Sequence, residues 1–97
     1  MARHSTATDA ILAAAPPLPL DPEHWRKVVK AIGLSQQQAR VVELMLRDLC
    51  DKQIAAVMGI SESTIDTYMQ RIGKRTGTSG RMQLAMRVLA VSHEVTK

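Results

Sequence analysis

The chain has 97 residues, a formal charge of +4, no Phe, one Trp, one Tyr and one Cys. This length suits a single domain with a modest core. The single Cys50 excludes an internal disulfide framework and suits a reducing cytoplasm. There is no membrane-spanning run, and the apolar run Ala10–Ala15, approached by Asp9, is too short for a signal-peptide core. With no alternating β-branched run and a core drawn from Leu, Ile, Val, Met and Ala, the composition predicts an all-α fold.

Residues 1–20 end in the proline cluster Pro16–Pro19 and read as a flexible tail, with a helical turn at most over Ala10–Ala15. Asp21-Pro22 then opens a helix with a capping residue followed by proline. Over residues 21–33, Trp25, Val28, Val29 and Ile32 form one apolar stripe, and Gly33 ends the helix. That stripe fits packing on the domain core; a docking face for a partner is the alternative. Ser35-Gln36-Gln37-Gln38 has the form of a capping box and starts the next helix, which runs to about Asp48.

Asp51–Arg75 carries the grammar of a helix-turn-helix. Asp51 is placed to cap a first helix, Gly59 suits a left-handed residue just past its end, and Ser61 caps a second helix with Glu62 near its positive pole. Laid out at 100° per residue, Ile65, Tyr68, Met69 and Ile72 fall on one side of the second helix, about 62–75. Ser63, Thr67, Gln70 and Lys74 fall opposite, flanked by Asp66 and Arg71. A face rich in hydrogen-bonding groups and poor in apolar ones is what reads a DNA major groove, though it is also what any solvated helix presents. Gln70 suits a paired bond to adenine, Thr67 a base or a thymine methyl, and Asp66 a cytosine amine. Arg71, Lys74 and Arg75 suit phosphates or guanine. Residues 61–81 carry a net +2, the densest basic segment, which fits a phosphate backbone as partner.

Ser79 is placed to cap a last helix over about Arg81–Ser92. This helix carries two apolar stripes, Met82, Ala85, Met86 and Leu89 on one side and Leu84, Val88, Val91 and Val95 on the other. An edge helix of a small bundle needs one stripe for the core, so the second predicts a partner helix, most simply a second copy. Residues 93–97 read as a C-terminal tail.

Leu34–Leu84 resembles the LuxR/GerE-type DNA-binding domain. The residues that carry the resemblance are Leu34-Ser35, Val41, Val42, Leu44, Lys52, Ile54, Ala55, Gly59-Ile60-Ser61, Thr64-Ile65, Ile72, Lys74, Gly77 and Arg81, in ungapped spacing. The resemblance implies a four-helix helix-turn-helix bundle over residues 34–92, here with one extra N-terminal helix. It implies that the third of the four helices enters the major groove of double-stranded DNA and that the fourth mediates homodimer pairing. Asp66, Thr67 and Gln70 fall at base-approaching positions, with Arg71 beside them. Lys52, Ser61, Thr64, Lys74 and Arg81 fall at backbone contacts or their supports, joined by Ser63 and Arg75. The pairing positions map onto Met82, Met86 and Leu89, leaving the Leu84 stripe for the core.

The sequence departs from the family pattern at Gln38 for a usual Glu, Asp48 for a usual Gly, Tyr68 for a common His, Thr76 for a common Leu, and the acidic Asp66 on the reading face. The Asp48 change puts the turn before the motif in question. Only 33 residues precede the matching stretch, too few for a receiver or ligand-binding domain. The function expected is a sequence-specific bacterial transcription regulator. The alternatives are a sigma-factor region-four-like module acting with RNA polymerase, and a protein-interaction module bound to another regulator. His4, His24 and His93 share no metal spacing, and no nucleophile-with-base arrangement or phosphate-binding glycine loop is present, so no enzyme, metal or cofactor is expected.

Overall fold

The computed structural model describes residues 6–96. They form six helices and, among the described residues, no strand: α1 (Thr6–Ala14), α2 (Pro22–Ile32), α3 (Gln36–Leu46), α4 (Asp51–Met58), α5 (Glu62–Thr76) and α6 (Gly80–Thr96). The fold is all-α and contains the expected helix-turn-helix bundle.

Helix starts follow local side-chain chemistry. Asp21 accepts from the His24 N–H at 2.9 Å. Ser35 Oγ accepts from the Gln38 N–H at 3.1 Å while Gln38 Oε1 accepts from the Ser35 N–H at 3.0 Å, a complete capping box. The α4 cap lies one residue earlier than the sequence predicts. Cys50 is the N-cap, and its N–H donates to Gln53 Oε1 at 2.9 Å, which leaves Asp51 inside the first turn where its charge complements the helix dipole.

Helix ends share one device. At α4, Gly59 adopts φ +68° and the Ile60 N–H turns back to the Ala55 carbonyl at 3.0 Å. At α3 the same device is built on Asp48, the single described non-glycine residue with positive φ, at +65°. Its N–H donates to Met45 O at 3.0 Å, and the Leu49 N–H donates to Leu44 O at 3.2 Å. The burial of Leu44 and Leu49, 0% and 1% exposed, supplies the apolar contact that accompanies this closure. The turn therefore keeps a left-handed form despite the loss of the usual glycine, and Asp is among the few residues that tolerate it.

The core joins Trp25 and Val28 of α2, Val41, Val42 and Leu44 of α3, Ile54 of α4, Ile65 and Ile72 of α5, and Leu84 and Val88 of α6. α2 packs along α6, its first turn against the C-terminal half of α6, where His24 Nε2 lies 2.9 Å from the Ser92 carbonyl and 3.1 Å from its hydroxyl. Trp25 and Val28, 7% and 0% exposed, belong to the core, while Val29 and Ile32 of the same stripe are half-buried at its edge.

Two terminal segments differ from the sequence expectation. Residues 6–14, read as part of a tail, are the helix α1, so two helices rather than one precede α3; residues 1–5 lie outside the described residues. The cause is tertiary. A helix of nine residues is marginal alone, but Ile11 and Leu12 pack on the core and the buried Thr8 donates its hydroxyl to Ala56 O at 3.5 Å. Arg47 then fastens the segment, donating from Nη2 to Leu12 O and from Nε to Pro16 O, both at 2.9 Å. At the other end α6 runs through residues 93–96, with Val91 and Val95 packed on the core; Lys97 lies outside the described residues.

Asp48→Gly tests the cost of the α3 closure. Relief of the left-handed strain is expected to stabilise the fold by about 1 kcal/mol, read as a higher urea midpoint with unchanged slope.

Candidate nucleic-acid interface

α4, the turn at Gly59-Ile60 and α5 form the helix-turn-helix. Ile54 and Ala55 on α4 are buried, as are Ile65 and Ile72 on α5, both 0% exposed. These two isoleucines lie seven residues apart, nearly two turns, and set the rotation of α5 about its own axis. The opposite face is then dictated: Ser63, Asp66, Thr67, Gln70, Arg71 and Lys74 are all exposed, and Arg75 is exposed on the flank beside Ile72. Tyr68 and Met69, on the same side as the two isoleucines, are half-buried at the edge of the core.

The N-terminus of α5 is held by a cluster of hydroxyls. Ser61 Oγ accepts from the Thr64 N–H at 3.1 Å and lies 3.0 Å from Ser63 Oγ and 2.9 Å from Thr64 Oγ1. These three side chains keep polar atoms beside the positive helix pole, where backbone N–H groups favour an anion. Thr67 spends its one proton on Ser63 O at 3.2 Å. A hydroxyl has one donor and two lone pairs, so Thr67 is left to accept a bond or to present its methyl group.

Asp66, Gln70 and Lys74 line an open groove between α5 and the start of α6, together with Asp51, Gly73 and Arg81. Arg81 does not extend freely. Its Nη2 donates to Leu49 O at 2.6 Å and its Nη1 lies 3.5 Å from Asp51 Oδ1, so it braces the start of α6 against the start of α4. On the other flank, Arg75 Nη1 lies 3.1 Å from where a Cβ on Gly33 would stand, against the end of α2. Lys52 is exposed on α4. The candidate DNA-facing residues thus divide into an outer set on α5, a hydroxyl cluster at its start, and two arginines that also touch the scaffold.

Gly73 was not singled out by the sequence pattern. A Cβ there would stand 2.8 Å from Thr78 O, closer than packed atoms tolerate. The Gly77 N–H donates to Gly73 O, and the Thr78 N–H does so at 2.9 Å, so the chain folds directly back over this residue on its way to α6. The available signal was a glycine inside an otherwise well-formed helix, which costs about 1 kcal/mol against Ala and so calls for a packing reason.

On α6, Leu84 and Val88 are buried, whereas Met82, Met86 and Leu89 are 77%, 60% and 51% exposed. Ser79 is held through its main-chain N–H, which donates to Gln83 Oε1 at 2.8 Å. Cys50 is exposed. Among the described residues, no three His, Cys, Asp or Glu side chains are grouped to hold a metal, and no helix is long and apolar enough to cross a membrane.

Residues 33–88, more than half of the chain, match the family described as bacterial regulatory proteins, luxR family. The chain belongs to the LuxR family. Its matched segment takes in α3, α4, α5 and the first half of α6, so the helix-turn-helix at its centre is that of a DNA-binding transcription regulator. The family is one of DNA-binding regulators and not of enzymes. Compared with curated proteins and with solved structures, the chain gives no match.

Gly73→Ala tests the close crossing at the end of the LuxR-type motif. Helix propensity alone would stabilise by about 1 kcal/mol; overpacking against Thr78 O is expected to reverse the sign and cost roughly 1–3 kcal/mol, read by urea unfolding.

Proposed function

We propose that this LuxR-family chain reads specific DNA sequence through the outer face of α5 and binds as a pair joined through α6. The observation that carries the proposal is the division of α5. Ile65 and Ile72 are fully buried while Ser63, Asp66, Thr67, Gln70, Arg71 and Lys74 all face solvent. A helix anchored by one stripe, with a polar opposite face free of large apolar groups, fits the major groove.

In this reading Gln70 pairs its amide with adenine, and Asp66 accepts from the cytosine amine. Asp66 forms no ion pair among the described residues, so its carboxylate is free to accept. Thr67, its proton already given to Ser63 O, accepts from an adenine or cytosine amine or packs its methyl on thymine. Arg71 takes a guanine or a flanking phosphate. Lys52, Lys74, Arg75 and the hydroxyls of Ser61, Ser63 and Thr64 hold the DNA backbone and supply the salt-dependent part of the affinity. Arg81 acts chiefly by fixing α6 and α4 against each other, with its remaining donors turned to phosphate.

Pairing rests on Met82, Met86 and Leu89, an exposed apolar stripe on the side of α6 away from Leu84 and Val88. Two copies joined there would present two α5 helices to half-sites about 10 bp apart or a similar helical multiple.

Gln70→Ala is expected to relax preference at one base position by roughly 1–3 kcal/mol, and Lys74→Ala to weaken all sequences alike and lower the salt slope by about one. Binding to a panel of single-base operator variants at several salt concentrations separates the two; an equal loss on every sequence for Gln70→Ala removes its base-reading role. Met86→Asp alters a residue 60% exposed in one copy, so the fold should persist while paired binding is lost. Sedimentation with DNA checks this, and an unchanged two-copy complex would exclude the stripe.

A further inference from the structure

α2 lies outside the residues that match the family, and by packing beside α3 it creates a groove that the shared DNA-binding unit lacks. The groove encloses about 710 Å³. Its floor is apolar, formed by the edge of Trp25 with the half-buried Val29 and Ala39. A second hollow continues it past Trp25 and Arg26 to Pro22 at the start of α2 and to Leu18 and Leu20 on the strap that follows α1. From Pro22 to Lys30 this path follows α2 for about 12 Å, a little over two helical turns.

The rim carries its unmatched charge, all positive, on the α2 bank. Arg26 and Lys30, four residues apart on α2, are exposed and form no ion pair among the described residues. Arg40 stands on the α3 bank, where it is 3.2 Å from Glu43, the one acidic residue in the groove. Two cations remain unmatched over an apolar floor that contains the chain's single tryptophan. We infer that this groove docks an acidic amphipathic helix of a partner protein. The partner's apolar side chains at i, i+3, i+4 and i+7 lie on Trp25, Val29 and Ala39, and its carboxylates meet Arg26 and Lys30. A basic or neutral partner would leave the same apolar floor but not the charge match. The surface is separate from the outer face of α5 and from the exposed stripe of α6, so a partner there can be held while DNA is bound.

The test uses the full chain and two labelled synthetic helical peptides of about four turns. Both carry Leu at i, i+3, i+4 and i+7; one has Glu at the other positions and the second has Lys. The expected result is a saturable anisotropy rise with the Glu peptide alone, a Trp25 emission change with the same midpoint, and weakening by about tenfold in Arg26→Glu/Lys30→Glu. In that variant DNA affinity should fall no further than in Lys27→Glu/Arg87→Glu, which makes the same change of net charge at exposed residues outside the groove. The inference is overturned if neither peptide binds, if both bind equally, or if the charge reversal leaves the Glu peptide's affinity intact. It is also overturned if the reversal weakens DNA binding more than Lys27→Glu/Arg87→Glu does, which would assign the rim to nucleic acid.

Discussion

The structure depends on how α5 is fixed in rotation. Ile65 and Ile72, both fully buried, are the pegs that hold it, and they share one core with Ile54 and Ala55 of α4, the aliphatic side chains of α3 and Leu84 of α6. Each is β-branched and stiff at χ1, so neither adapts easily to a helix turned about its axis. One residue of rotational error is 100°, enough to carry Gln70 off the exposed face and bring a polar group toward the core. The apolar side of α5 therefore decides what its polar side can do. A core without phenylalanine makes this fit depend on many small aliphatic contacts rather than on a few large rings.

The ends of α5 hold its position along the axis. At the start, Ser61 caps the helix and gathers Ser63 and Thr64 around one hydroxyl. At the far end the chain turns at Gly77 and passes so close to Gly73 that no side chain fits there. Arg81 then ties the start of α6 to Leu49 O, just before α4. α5 is thus enclosed between a polar cap and a tight backbone crossing, and the brace at Arg81 links that crossing back to the first helix of the motif.

Legibility in the sequence followed the range of the interactions. The caps at Asp21, Ser35 and Ser61 and the closure at Gly59 were readable because each is made with residues three to five positions away. The polar face of α5 was readable because it follows from helical period alone, and the two stripes of α6 were visible for the same reason. α1 was not readable. Its stability comes from Arg47 and from Ala56, which lie 35 and 48 residues from their partners Leu12 and Thr8. The burial of Trp25 was open until α2 was placed along α6, and whether Arg81 was a backbone contact or a support was open because its partner Leu49 is 32 residues away. At Asp48 the family pattern pointed to a glycine, and the backbone kept the left-handed shape of that closure while the side chain changed.

Selection of bound sequences from random DNA at fixed salt tests most directly the claim that the outer face of α5 reads bases. The account predicts an enriched motif of two related half-sites about 10 bp apart. Bound DNA that remains as random as the starting pool would contradict it, and would leave the polar face of α5 as a solvated surface with only backbone affinity.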